Sequence, residues 1–142
     1  MKHIVAVFLA VVLIAPLTAS DTAVLTVTFT DIDPAEGQLL IALCNSKENF
    51  EKRVEPFKKM KESVNGSTVT VNFTGIPAGE YAVKVVHDEN SNDKMDTNLV
   101  GMPKEGFGFS NNAMGKMGPP DYGKAKVTVA GDTTITVKMK YL

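Results

Sequence analysis

The stretch that decides the fold is TVTVNFTGIPAGEYAVKVVH, residues 68–87, in which two kinds of side chain alternate on both sides of a short turn. One set of alternating positions holds Val69, Val71 and Phe73 before the turn, and Tyr81, Val83, Val85 and His87 after it. Because successive side chains of a strand point to opposite faces, this period of two predicts two half-buried strands. The turn contains Pro77 and Gly79, which predicts that the two strands are antiparallel neighbours.

Four further segments have strand-like sequences. Residues 24–30 (VLTVTFT), 124–130 (KAKVTVA) and 133–142 (TTITVKMKYL) alternate with the same period, which is typical of antiparallel strands with one solvated face. In residues 38–44 (QLLIALC) both sets of alternating positions are apolar, so this strand is predicted to be central and covered on both faces. Residues 130–134 (AGDTT) predict a tight hairpin that makes the last two strands antiparallel neighbours.

Residues 46–62 depart from the strand pattern and predict a short helical insert. Ser46 is a favourable N-cap residue, and Pro56 is expected to break or bend the helix. Apolar residues recur at helical spacing, at Phe50, Val54 and Phe57. The aromatic residues are expected to plug one open end of the fold, and the alternative is a ligand-binding helix.

The chain is therefore predicted to be all-β, a single antiparallel two-sheet β-sandwich of six or seven strands. It would carry the helical insert near residues 46–62 and a long loop near residues 88–122. Residues 21–142, about 120 residues without the N-terminal segment described below, are enough for one domain with one hydrophobic core. Cys44 is the only cysteine and cannot form a disulfide within the chain, so it is expected to be a buried apolar residue.

The N-terminal segment, residues 1–20, has the order of a secretory signal peptide: a positive start, an apolar centre and small residues at the end. Its apolar run is short against the roughly 20 residues that span a bilayer, so cleavage is favoured over a membrane anchor. Cleavage after Ala19 or Ser20 would leave residues 21–142 as one exported domain, periplasmic or secreted, with no stable membrane insertion. The net charge of the chain, −1, provides no electrostatic footprint for nucleic acid.

The strongest chemical motif follows the strand that ends at His87. Oxygen ligands occur at alternate positions, as in the calcium loop of an EF-hand: Asp88, Asn90, Asn92, the backbone carbonyl of Lys94, and Asp96. Calcium is a hard cation that takes six to eight oxygen ligands, so this spacing predicts a calcium-stabilised loop. The alternative is that the Asp and Asn residues only form a turn, since their side chains bond the neighbouring backbone.

Two positions depart from the calcium-loop pattern. Asp93 stands where glycine normally allows the sharp turn, and Leu99 stands where a bidentate glutamate normally completes the site. Asn98 or Glu105 would have to supply the missing ligand. The expected affinity is weak, with a Kd of about 10⁻⁴ to 10⁻³ M as in other extracellular modules.

Two other kinds of site are predicted within the long loop. Phe107, Phe109 and Tyr122, separated by glycines and asparagines, would form a platform for a carbohydrate or a peptide, unless they pin the loop to the sheet. Met114 and Met117, with His87 as a third ligand, would favour Cu(I), although methionine also commonly fills irregular gaps in packing.

An enzyme is not predicted. The glycines of the loop lack the Gly-Lys-Ser or Gly-Lys-Thr ending of a phosphate loop. His87, Asp88 and Ser110 are the only obvious catalytic trio, and no nucleophile elbow accompanies them. The leading interpretation is an exported, non-catalytic β-sandwich with a weakly calcium-stabilised loop. The alternatives are a carbohydrate- or peptide-binding module and, third, a periplasmic copper-handling protein.

Three short motifs carry a family resemblance: GEYA at residues 79–82, HDEN at 87–90 and GFGFSNN at 106–112. With them, the chain from Ala23 onward resembles the exported bacterial proteins called domain of unknown function 2141. The resemblance implies a prealbumin-like or immunoglobulin-like β-sandwich and brings no activity. The sequence has Asp93-Lys94 where the family pattern has Gly-Lys. The GIPAGEYAV turn also resembles the accessory, non-catalytic sandwich domains of some carboxypeptidases, and a shared fold does not by itself specify function.

Overall fold

The alternating segments form the strands of two packed β-sheets in the computed structural model, which describes residues 21–142. The signal-peptide prediction falls on residues 1–20 and lies outside the described residues. The strands are β1 (Thr22–Thr30), β2 (Gln38–Cys44), β3 (Lys58–Ser63), β4 (Val69–Pro77), β5 (Gly79–Asp88), β6 (Phe107–Phe109), β7 (Val127–Val129) and β8 (Thr133–Lys138). Two short helices are α1 (Lys47–Glu51) and α2 (Tyr122–Ala125), and a 3₁₀ turn covers Ser110–Asn112.

The predicted two-sheet sandwich is confirmed. The first sheet has the order β4-β1-β8, and the second has the order β3-β2-β5-β6, with β7 also paired to β5. The described residues thus form eight strands, where six or seven were predicted. The pairings are antiparallel except that of β1 with β8, which is parallel.

The predicted inward faces of the strands form the core between the sheets. The fully buried side chains include Leu25, Val27, Phe29, Leu39, Leu43, Phe73, Val83, Val85, His87 and Val137. Each alternates along its strand with residues that are less buried, as in the burial patterns of β1 and β4. Apolar burial of this kind is the main source of stability for a domain of this size.

Both predicted hairpin pairings are wrong. β4 and β5 are separated only by Ala78, yet they lie in different sheets, and so do β7 and β8. At the first corner, the Tyr81 hydroxyl donates to the Pro77 carbonyl at 2.6 Å. At the second corner, Val24 of β1 donates its backbone N–H to Asp132 Oδ1 at 2.9 Å. These contacts stabilise turns that carry the chain from one sheet to the other, as strands that switch sheets do.

The predicted helical insert is shorter than expected. The helix α1 begins after Ser46, which forms a capping box with Asn49, and it ends at Glu51. Residues 58–62, the last part of the predicted insert, instead belong to the edge strand β3, which pairs with β2. Phe57 is exposed, whereas Phe50 is buried on the outer face of the second sheet and does not plug an end of the sandwich.

The long connection after β5 is also less irregular than predicted. It contains the strand β6, whose central residue Gly108 pairs with Val85, followed by the 3₁₀ turn. Among the described residues, no helix is long and apolar enough to cross a membrane.

Candidate functional site

The acidic loop, residues 88–96, is built on a buried carboxylate at the end of β5. Asp88 is fully buried, and its oxygens accept the backbone N–H groups of Asn92 at 3.0 Å and Asp93 at 2.8 Å. The Gln38 side chain donates to the same carboxylate at 2.7 Å. A buried carboxylate is stable only when it is well hydrogen-bonded. These bonds satisfy Asp88 and at the same time fix the backbone of the loop in a tight turn.

Three of the predicted calcium ligands converge at the surface of this loop. The amide of Asn90 donates to Asp96 Oδ2 at 2.6 Å, and that of Asn92 donates to both Asp96 oxygens at 3.0 and 2.9 Å. These hydrogen bonds, first from Asn92 and then from Asn90, lower the pKa of Asp96. Lys94 enters the same network by donating its backbone N–H to Asn92 Oδ1 at 3.1 Å.

The turn forms without the expected glycine. Asp93 adopts φ 66°, and Ser91 adopts φ 55°, both in the left-handed region that glycine normally occupies. The Asp93 carboxylate accepts Lys61 Nζ at 2.6 Å and Gln38 Nε2 at 2.8 Å. The hydrogen bond from Lys61, followed by that from Gln38, lowers the pKa of Asp93. Aspartate is among the residues that tolerate this conformation, so its presence does not prevent the tight turn.

The two extra ligands proposed from sequence have different roles. Glu105 is buried, and its carboxylate accepts the backbone N–H groups of Glu89 at 3.2 Å and Asp96 at 3.0 Å, which ties both ends of the acidic loop together. Asn98 instead accepts the N–H groups of Val100 and Met102, and so shapes the next turn of the chain. Within residues 21–142, no group of three or more His, Cys, Asp or Glu side chains is arranged to hold a metal ion.

The predicted aromatic platform is partly a packing cluster. Phe109 packs against Phe50 with ring centroids 6.0 Å apart, and Tyr122 also packs against Phe50, at 5.8 Å. The Tyr122 hydroxyl donates to the Glu80 carbonyl at 3.0 Å. Phe107 lies 6.1 Å from Phe109, and both are more than nine-tenths buried. These aromatic side chains thus attach the long connection and both helices to the outer face of the second sheet.

An apolar groove of about 600 Å³ crosses this outer face beside the aromatic cluster. Its floor comprises side chains of β2, β5 and β6: Leu40, Ala42, Val86, Phe107 and Phe109. Three lysines line it, Lys59 and Lys61 on β3 and Lys84 on β5, together with Asp93. Pro56, Met95 and Pro119 from the connecting segments also line it. The groove therefore combines an apolar floor with three lysines, two of which are paired with carboxylates at 2.6 Å, Lys59 with Glu55 and Lys61 with Asp93.

Sequence reasoning missed most of this groove, although one signal for it was present. The apolar outer set of β2 contains Leu40 and Ala42, and the structure leaves both half-buried instead of fully covered. Lys84 interrupts the apolar run of β5, and its Nζ donates to the Phe50 carbonyl at 2.9 Å. A strand with two apolar faces thus indicated either a second packed layer or a binding surface, and here it contributes to both.

Of the remaining sequence candidates, His87 and Ser110 are buried and have structural partners. His87 is fully buried, with Nδ1 2.8 Å from the Tyr141 hydroxyl and Nε2 2.7 Å from the Glu36 carbonyl. Met114 and Met117 are exposed, so the structure does not place them with His87 in the core. The buried Ser110 hydroxyl donates to the Ala125 carbonyl and accepts the Val83 N–H at 2.8 Å.

Cys44 is buried as expected, and its thiol donates weakly to the Asn49 carbonyl with a sulfur–oxygen distance of 3.4 Å. Burial raises the pKa of this thiol. A raised pKa disfavours the thiolate, which is the reactive form of cysteine.

Comparison with known proteins gives one family and no individual relative. No curated protein and no solved structure matches the chain. A family model described as "uncharacterized protein conserved in bacteria", domain of unknown function 2141, matches residues 27–137. This range extends from the middle of β1 to the penultimate residue of β8 and includes both sheets, the acidic loop and the groove. The chain belongs to this bacterial family.

Proposed function

We propose that the protein is an exported, non-catalytic binding module that takes an apolar peptide segment with acidic flanking residues into the groove on the second sheet. The observation that carries this proposal is the chemistry of the groove, with aliphatic and aromatic side chains on its floor and three lysines along it. Apolar contact would supply affinity, and acidic flanking residues of the peptide would compete with Glu55 and Asp93 for Lys59 and Lys61.

The groove favours a peptide over a carbohydrate. A sugar needs an exposed aromatic face and convergent hydrogen-bonding groups, whereas Phe107 and Phe109 present less than a tenth of their surface. The rest of the floor is formed by the aliphatic side chains of Leu40 and Ala42 on β2 and Val86 on β5. Such a floor matches two or three adjacent aliphatic residues of a peptide.

Selection from a displayed library of random peptides tests this function directly. We expect the enriched peptides to contain adjacent large aliphatic residues next to Asp or Glu. Val86→Asp places a carboxylate on the groove floor and should weaken their binding by about tenfold or more. Thr136→Glu is the matched control, because Thr136 is an exposed residue of β8 in the other sheet.

Failure to enrich any such motif, or equal binding by Val86→Asp and the native protein, would contradict the proposal. A thermal melt of each variant ensures that weakened binding does not reflect unfolding. The two phenylalanines are unsuitable probes, because truncating a buried Phe to Ala costs about 3–5 kcal/mol and would disturb the aromatic cluster.

A second candidate function is calcium-dependent stabilisation of the acidic loop. The left-handed conformation of Asp93 favours it, since it removes one of the two departures from the calcium-loop pattern. Asn90 and Asn92 would have to turn their amide oxygens, in place of their nitrogens, toward a cation beside Asp96. With few carboxylates the affinity would be weak, and the ion would stabilise the loop without being required for folding.

A calcium titration of the thermal melt tests this second function. Calcium at tenfold its Kd should add about 1.4 kcal/mol to the free energy of unfolding, and a chelator should remove it. Asp96→Ala should abolish the response. Asp121→Ala should retain it, because Asp121 is exposed and its side chain does not cap α2. If the melting temperature of the native protein changes with neither calcium nor chelator, calcium does not stabilise the loop.

A further inference from the structure

The connection between β3 and β4 contains the one Asn-Gly pair of the chain, Asn65-Gly66. This connection carries the chain from the second sheet to the first, and Asn65 is exposed on it. Asparagine is one of the thermolabile residues of proteins, because the backbone nitrogen of the next residue can attack its side-chain amide. Glycine, which has no side chain, hinders that attack least.

The side chain of Asn65 is free, unlike those of the other asparagines. Within residues 21–142 it makes no hydrogen bond, whereas each other asparagine side chain makes at least one. Asn45 and Asn90, which each precede a small serine, bond Asn49 and Asp96 in this way. A bonded amide must give up its partner before it can turn toward the attacking nitrogen, which raises the barrier to reaction.

The attacking nitrogen is free as well. The Gly66 N–H donates to no atom of the described residues, and its backbone belongs to no helix or strand. One end of the connection is fixed by the Val64 N–H, which donates to the Gly37 carbonyl at 3.0 Å. The other end is fixed by the Ser67 carbonyl, which accepts the Ile32 N–H at 3.1 Å. The two residues between these anchors can therefore rotate into the reactive arrangement while both anchors stay in place.

We propose that Asn65 is a site of spontaneous deamidation in the folded protein. The Gly66 nitrogen attacks Asn65 Cγ and forms a bond to it, and the side-chain nitrogen leaves as ammonia together with the proton of the Gly66 nitrogen. Water then opens the cyclic imide. Hydrolysis at the former side-chain carbonyl gives aspartate, and hydrolysis at the main-chain carbonyl gives isoaspartate. Either product places a carboxylate on the connection between the two sheets.

Timed incubation of the native protein at physiological temperature and mildly alkaline pH tests the proposal. Proteolysis and mass spectrometry then follow each asparagine separately. The peptide that contains Asn65 should gain one mass unit with first-order kinetics, and ammonia should appear in equal amount. The peptides that contain Asn45 and Asn90 should stay unchanged over the time in which most of Asn65 reacts.

Gly66→Ala is the sharpest variant, because the structure leaves room for the added methyl group. A Cβ atom at this position would meet no atom of the described residues within 4 Å, and the φ of Gly66 lies outside the left-handed region. The variant should fold normally and react at least about tenfold more slowly, a rise of about 1.4 kcal/mol in the barrier. Gly123→Ala is the matched control, since Gly123 is equally open and follows a tyrosine, and it should react like the native protein.

Unfolding in guanidinium chloride separates the effect of the structure from that of the local sequence. Asn65 should react at nearly the same rate in the native and the unfolded protein, whereas Asn45 and Asn90 should accelerate once their hydrogen bonds are lost. Protection of Asn65 by more than about tenfold in the native protein would overturn the proposal. Equal rates for Gly66→Ala and the native protein, or faster native deamidation at Asn45 or Asn90 than at Asn65, would overturn it as well.

Discussion

At the scale of single residues, Gly108 determines how closely β6 approaches the core. A Cβ atom at this position would lie 2.9 Å from Val137 Cγ1 and 3.2 Å from Val85 Cγ1. Its neighbours Phe107 and Phe109 face outward to the aromatic cluster, so Gly108 is the residue of β6 that faces inward. The absence of a side chain allows the edge strand to lie directly on the valines of the core.

Gly108→Ala should therefore destabilise the fold. Overpacking a core by one methyl group typically costs about 1–3 kcal/mol, because stiff neighbours such as valine cannot move aside freely. Gly123→Ala is the matched control, since a Cβ atom there would meet no atom within 4 Å. Urea unfolding followed by circular dichroism measures both free energies. Equal transition midpoints for the two variants would show that β6 tolerates the added methyl group.

A single residue also explains why the acidic loop was hard to judge from the sequence. Asp93 stands where glycine is usual in such a turn, yet it adopts the left-handed conformation itself. Its carboxylate is held by Lys61 and Gln38, which lie 32 and 55 positions away in the chain. Contacts over such sequence distances are set by the fold and are not visible in a local motif.

At the scale of elements, the sequence predicted strands well and their partners poorly. Alternation with period two specifies which side chains face the core, and this was right for β1, β4 and β5. The pattern is the same whether a strand pairs with its predecessor or crosses to the opposite sheet, because both arrangements bury the same set. The two hairpin predictions failed for this reason.

The element β3 shows a related limit. Its sequence, KKMKES, has one apolar residue and follows Pro56, so neither strand propensity nor periodicity identifies it. It forms because β2 offers an open edge, and lysines at an edge strand are a common protection against further pairing. Lys59 and Lys61 of the same strand then line the groove, which is why its charge could not be foreseen.

At the scale of the whole molecule, the C-terminal segment joins the two sheets. Lys140 and Phe107 exchange backbone hydrogen bonds at 2.8 and 2.9 Å, which connects the end of the chain to β6. The hydroxyl of Tyr141 accepts the Asp33 N–H at 3.0 Å and lies 2.8 Å from His87 Nδ1. The last residues thus contact the β1–β2 connection and β5 at the same time.

Removing the Tyr141 hydroxyl should consequently lower the free energy of unfolding by more than the loss of one ordinary hydrogen bond would. Because the Glu36 carbonyl can only accept, a neutral His87 carries its proton on Nε2, and its Nδ1 then accepts the proton of Tyr141. Tyr141→Phe would leave this nitrogen buried without a partner, at a cost of about 1–3 kcal/mol. The melting temperature should fall by roughly 5–10 °C, with the unfolding transition remaining cooperative.

Tyr122→Phe is the comparison that separates this effect from the loss of any tyrosine hydroxyl. The Tyr122 hydroxyl bonds the Glu80 carbonyl at an exposed position, where water can replace it, so the loss should stay below about 1 kcal/mol. Thermal melts of the two variants, followed by circular dichroism, give the difference. If both variants lose the same stability, Tyr141 contributes only an ordinary hydrogen bond, and the sheets are joined mainly by the apolar core and by the backbone pairing of Lys140.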